Sequence, residues 1–200
     1  MNQKNEESDS GFPNSPEYFQ SAFGVDANLI KKVKDLIEKT ISFTDSILVT
    51  HFKLHIPETH KFPKSNRLLN RFVSMLAESL DQNKKYYTIF WVRTKEDYSQ
   101  KQCYNLVVMM DSYYVNQSES LMYLCQFLWS NALYLNHGTQ GIFSVPMGLF
   151  SPNSFLLFKN DALYECSLFM ALEKVAMMLE NIDFDRDENV DGYGLSSIYL

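Results

Sequence analysis

Apolar positions recur along this chain with two periods, and the switches between them predict its elements. Leu29, Ile30, Val33, Ile37 and Ile41 fall three and four apart, one face of a helix that Asp26 can cap, with Lys31, Lys32, Lys34 and Lys39 on the other side. Residues 46–57 are β-rich and end at Pro57. Alternation there puts Val49, His51, Lys53 and His55 on one face and Leu48, Phe52, Leu54 and Ile56 on or near the other, with one irregularity expected. A second helix from about Ser65 turns Leu68, Leu69, Phe72, Leu76 and Leu80 inward and keeps Arg67 and Arg71 together on a polar face. Residues 86–93 and 104–110 read as strands, and the polar stretch 94–102 between them predicts an antiparallel hairpin.

Asn116, with Glu119 three residues on, starts a third helix whose apolar face is Leu121, Leu124, Cys125, Leu128, Ala132 and Leu135, closed by His137-Gly138. A Gly/Pro-punctuated loop over 139–153, a short strand over 155–158 and a last helix over 161–180 follow. Residues 1–23 lack periodicity and read as a mobile arm. The order predicts an α+β fold: an antiparallel sheet covered by helices, one domain over 26–182 between an arm (1–25) and an acidic tail (183–200).

Charge is segregated. The formal net charge is −6, yet residues 27–102 carry fourteen Lys/Arg against eight Asp/Glu, while residues 103–200 carry three against eleven. Such a chain can hold a local basic face on an acidic protein. Cys103, Cys125 and Cys166 are odd in number and far apart, which reads as free thiols in a reducing compartment. No apolar run approaches the ~20 residues of a membrane span, and the polar first ten residues do not form a signal peptide, so a soluble cytoplasmic protein without a membrane partner is expected.

Candidate chemistry is sparse. Asp187-Glu-Asn-Val-Asp-Gly192 opens like a calcium-binding loop, but Ile198 stands where that loop needs a bidentate Glu. No nucleotide-binding glycine loop or zinc-protease motif occurs. Tyr86, Tyr87, Tyr98, Tyr104, Tyr113 and Tyr114 are interleaved with Lys84, Lys85, Arg93, Lys95 and Lys101, a mixture that suits stacking on single-stranded nucleic acid and equally suits strand packing. His51 and His55 share a strand face about 13 Å apart, too far to hold one metal ion.

Several segments in order are similar to the inovirus gene-II-product-like replication protein family (the YagK/YfjJ C-terminal domain): Ile47-Leu-Val-Thr-His-Phe-Lys-Leu-His-Ile-Pro57, Arg71-Phe72, Phe90-Trp-Val-Arg93, Cys103-Tyr-Asn-Leu106, the helix around 163–172 and Asp191-Gly-Tyr-Gly-Leu-Ser-Ser197. The resemblance spans roughly 45–200 and implies a fold like the palm of rolling-circle replication initiators, which nick one DNA strand. In that chemistry two histidines in a His-hydrophobic-His pair hold a divalent ion on one strand face, and a helical tyrosine attacks the phosphate. Here Cys103 and Asn105 replace the histidines. The resemblance therefore implies Cys103, Asn105 and His55 as a degenerate metal set, Tyr164 at the nucleophile's place, and Mg²⁺ or Mn²⁺ only if nicking is retained, with no cofactor otherwise. The expected function is a DNA-binding relative of these initiators, for single-stranded or origin DNA, with nicking lost. Its contacts would be Lys31, Lys34, Arg67, Arg71, Arg93, Lys95 and Lys101. The alternative is an interaction protein from a phage or satellite, directed at a host protein.

Overall fold

A computed structural model describes residues 15–57, 65–81, 86–95, 102–112, 118–135, 143–144, 154–180 and 192–198. Its elements are α1 (Pro16–Phe23), α2 (Ala27–Ser42), β1 (Ser46–His55), α3 (Arg67–Asp81), β2 (Tyr87–Lys95), β3 (Gln102–Asp111), α4 (Ser118–Ala132), β4 (Phe143–Ser144), β5 (Ser154–Phe158), α5 (Tyr164–Glu180) and β6 (Tyr193–Ile198). All strand pairings are antiparallel. The order across the sheet is β4-β1-β3-β2-β6, and β5 also pairs β1, on its first half.

Helices cover both faces. On one side α3 and α4 press Phe72, Leu76, Cys125 and Trp129 against Phe52, Leu54, Trp91, Tyr104 and Leu106. On the other, α1, α2 and α5 press Phe19, Ile30, Ile37 and Leu172 against Ile47, Val49, Phe90, Val107 and Met109. A central strand coated on both faces needs apolar residues at every position rather than every second one. β3 meets that demand except at one polar position, Asn105: Cys103 through Met110 are all buried.

The local caps are those the side chains favour. Asp26 Oδ1 accepts from the Asn28 backbone N–H at 2.8 Å, satisfying one of the open donors that start α2. Ser15 caps α1 with Pro16 behind it, and Gly24 ends that helix at φ +67°, a left-handed conformation that favours glycine.

The structure departs from the sequence reading at both ends and along β1. Residues 16–23 belong to the domain as α1, because Phe19 is wholly buried in the second core and packs on Phe23 and Phe169. The tail contributes β6, which pairs with β2 from Tyr87↔Ile198 to Val92↔Tyr193. The irregularity expected in β1 does not occur: its register with β3 runs unbroken from Ile47↔Asp111 to His55↔Cys103. The start and stop expected for the third helix, Asn116 and His137-Gly138, lie outside the described residues, as does most of the calcium-loop-like stretch. No helix among the described residues is long and apolar enough to cross a membrane.

Gly194 in β6 lies under the Trp91 ring, and a Cβ there would stand 2.4 Å from Trp91 Cζ2. The ring is buried and cannot swing aside freely. Gly194→Ala is therefore expected to destabilise the fold by about 1–3 kcal/mol, the usual cost of overpacking. Urea denaturation measures it, and an unchanged midpoint would contradict the packing described.

Candidate functional site

The second halves of β1 and β2 and the first half of β3 place a group of polar side chains on the face that α5 covers. Register aligns Lys53 with Asn105, His55 with Cys103, and both Asn105 and Cys103 with Val92 and Thr94 on the other side. Alternation explains why Cys103 and Asn105 share a face, as the sequence suggested. A chain of hydrogen bonds joins the group. His51 Nε2 meets Asn105 Oδ1 at 3.3 Å, Asn105 Nδ2 donates to Thr94 Oγ1 at 2.8 Å, and Thr94 Oγ1 lies 3.1 Å from Cys103 Sγ. His55 Nε2 turns instead to Ser144 Oγ on β4, at 2.6 Å.

Burial governs the electrostatics here. Desolvation holds the His51 imidazole well below its ordinary pKa, at about 4. The Asn105 hydrogen bond opposes this, and the nearby Lys174 and Lys53 charges reinforce it. His51 is thus a neutral ring, and its Nδ1 has no hydrogen-bond partner. Lys174, on α5, is only 9% exposed.

Cys103, Asn105 and His55 stand in register, but each is engaged by a protein neighbour. Among the described residues, no three His, Cys, Asp or Glu side chains are placed to share a metal ion. Tyr164 opens α5 far from this group. Its phenol is pushed up to about 12 by burial, then by the Glu38 and Glu165 carboxylates, which keeps it protonated and a poor nucleophile at neutral pH. Lys174, the α5 residue that acts on His51, comes ten positions later, about 15 Å along the helix axis.

The proposed nucleic-acid contacts fall on both sides of the sheet. Lys31 and Lys34 lie on α2, and Lys34 pairs with Glu38 at 3.8 Å. Arg67 and Arg71 lie on α3, across the sheet, where the Arg71 guanidinium sits 4.0 Å above the Tyr134 ring. Arg93 is on β2 beside Tyr104, and both face the α3 side. The Lys95 side chain and Lys101 lie outside the described residues.

Two of them, Arg67 and Arg93, share one end of the sheet, where Lys32 and Lys53 join them. Tyr104 Oη reaches Asn66 just before α3 at 3.5 Å, which sets Arg67 near the end of β2 that carries Arg93. Lys32 Nζ donates to Tyr193 Oη at 3.2 Å, and Tyr193 is paired with Val92. Lys53 closes the same end of β1. Carboxylates mark the opposite end: Asp45 before β1, Asp81 beside Tyr87, Asp111 ending β3 and Asp161 after β5. Sequence reasoning missed the His51–Asn105–Thr94 chain and Lys174. The second had a visible signal, a lone cation within the apolar run of residues 168–179.

The chain matches no protein-family model and no curated protein sequence.

Proposed function

We propose that this chain is a DNA-binding protein related to rolling-circle replication initiators, in which nicking has been lost. The observation that carries the reading is the charge polarity of the sheet, with Lys32, Lys53, Arg67 and Arg93 at one end and Asp45, Asp81, Asp111 and Asp161 at the other. Among the described residues, that end offers an approaching polynucleotide the more attractive field on this acidic protein. Loss of nicking is supported by the engagement of Cys103 and Asn105 with Thr94 and His51, and by the distance of Tyr164 from them.

Fluorescence anisotropy with single- and double-stranded DNA at two salt concentrations tests the reading. Affinity should fall steeply with salt, and Arg67→Ala with Arg71→Ala should weaken binding about tenfold and flatten the salt slope by roughly 1–2. DNA should stay uncut with Mg²⁺ or Mn²⁺, and Tyr164→Phe should change nothing. Binding that is absent at low salt, or indifferent to salt, would sink the proposal. A second reading, an interaction protein acting on a host protein, draws on the outer face of α4, where Tyr123 is 72% exposed and Tyr134 just beyond it is 74% exposed. Aromatics of this kind anchor protein interfaces. Tyr123→Ser would then abolish a stoichiometric complex recovered from bacterial lysate while leaving DNA affinity unchanged.

A further inference from the structure

Three nitrogen groups lie on the α5 side of the sheet, and among the described residues no carboxylate forms an ion pair with them. Lys53 follows His51 by two positions on β1, so the two side chains stand on one face about 7 Å apart along the strand. Lys174 comes down from α5, close enough that its charge acts on the same imidazole. Among the described residues, neither ammonium forms an ion pair or a hydrogen bond, although Lys174 is 9% exposed. The buried His51 Nδ1 likewise has no partner.

Stability alone gives no reason for this arrangement. A buried ring nitrogen left unpaired costs free energy, and two cations beside it add repulsion whenever the ring charges. Conflicts of this kind collect at sites that take a ligand. Asn105 holds His51 Nε2, so the ring is fixed and Nδ1 is the atom presented. Asn105 Nδ2 is committed to Thr94 and its Oδ1 faces the ring, so Nε2 carries the hydrogen and donates. The neutral ring's Nδ1 is then a bare lone pair, which can accept from the O–H of a singly protonated phosphate.

We propose that Lys53, Lys174 and His51 form a binding site for a phosphate-type oxyanion. Two ammonium groups that donate and an imidazole nitrogen that accepts approach from two elements, which suits a tetrahedral oxyanion that keeps an O–H at neutral pH better than a fully ionised planar carboxylate. The oxyanion has two natural sources, free phosphate and the terminal phosphate of a nucleic acid. The site does not require the DNA-binding reading, because free phosphate alone can occupy it.

Thermal denaturation decides the matter. At matched ionic strength, 10 mM inorganic phosphate should raise the Tm of the full chain by about 4 °C over chloride, the shift expected for a millimolar Kd in a protein of this size. The Lys53→Met, Lys174→Met double variant should show no such rise. Should that variant fail to melt cooperatively in chloride, Lys53→Gln alone replaces it, with the phosphate shift at least halved. Equal shifts in wild type and variant, or none in wild type, overturn the site. Anisotropy with one oligonucleotide bearing a 5′-phosphate or a 5′-hydroxyl assigns the source. Tighter binding of the phosphorylated form, lost in the variant, identifies a nucleic-acid terminus. Equal binding of both forms, beside a phosphate-specific Tm shift, identifies free phosphate, and that shift remains readable even if neither oligonucleotide binds.

Discussion

Trp129→Ala is expected to cost about 4 kcal/mol of folding stability, the largest loss from any single side chain described above. Trp129 is fully buried in the core between the sheet and the α3–α4 pair. Its ring stands edge-on to Phe72 at 5.8 Å and to Tyr104 at 6.2 Å, and Tyr104 continues the series to Trp91 at 6.3 Å. Its indole N–H donates to the His55 carbonyl at 2.9 Å, tying α4 to the last residue of β1. Truncation therefore removes a large apolar area, leaves a cavity among rings that cannot collapse into it, and strips a partly buried carbonyl of its donor. Trp129→Phe keeps most of the packing and loses the hydrogen bond, so about 1–2 kcal/mol is expected. Urea denaturation of both variants checks the order; an alanine variant within 1 kcal/mol of wild type would contradict the role given to this ring.

Acid should weaken the fold through His51, by about 3 kcal/mol in total between pH 6.5 and pH 4. The direction follows from proton uptake. In the unfolded chain the imidazole gains its proton near pH 6.5, whereas in the folded protein it resists protonation until about pH 4. Across that window the unfolded state binds more protons, so stability falls as pH falls, and below about pH 4 this contribution is gone. The effect needs little discount for solvent, since His51 is 6% exposed. His51→Gln keeps an amide that can bond Asn105 but does not titrate. Paired urea melts at pH 7 and pH 4.5 should show wild type losing about 2–3 kcal/mol more than the variant, with carboxylate contributions cancelling in the comparison. Equal losses would mean that His51 is not held neutral by its surroundings.

Elements with a single buried stripe were legible in the chain. α2 and α3 bury the residues their spacing marks, Leu29, Ile30, Val33, Ile37 and Ile41 in one and Leu69, Phe72, Leu76 and Leu80 in the other. The β2–β3 hairpin followed from two β-rich runs and a polar connection. α1 was hidden because eight residues give barely two turns of periodicity, and its place depends on Phe19 meeting Phe169 from α5. β6 was hidden because Tyr193-Gly-Leu-Ser-Ser-Ile198 lacks an apolar alternation and owes its conformation to the open edge of β2. At the site, Cys103 and Asn105 were correctly paired on one face by alternation, while their engagement with Thr94 and His51 depends on the register of three strands. Register between distant segments is not written in either one alone.

The strand order also sets a timetable for folding. Among the described strands, only β2 and β3 are neighbours both in the chain and in the sheet, so their hairpin closes a short loop and can form within about 1–10 μs. β1 joins β3 across more than forty residues and β5 joins β1 across nearly a hundred, as β6 does with β2. Those closures delay the reward of pairing until much chain entropy has been spent, which places the protein toward the slow, millisecond-to-second end of single-domain folding. Until β6 arrives, the β2 edge of the hairpin stands open with its backbone N–H and C=O groups unpaired, and newly made chains are most exposed to mispairing with one another during that interval.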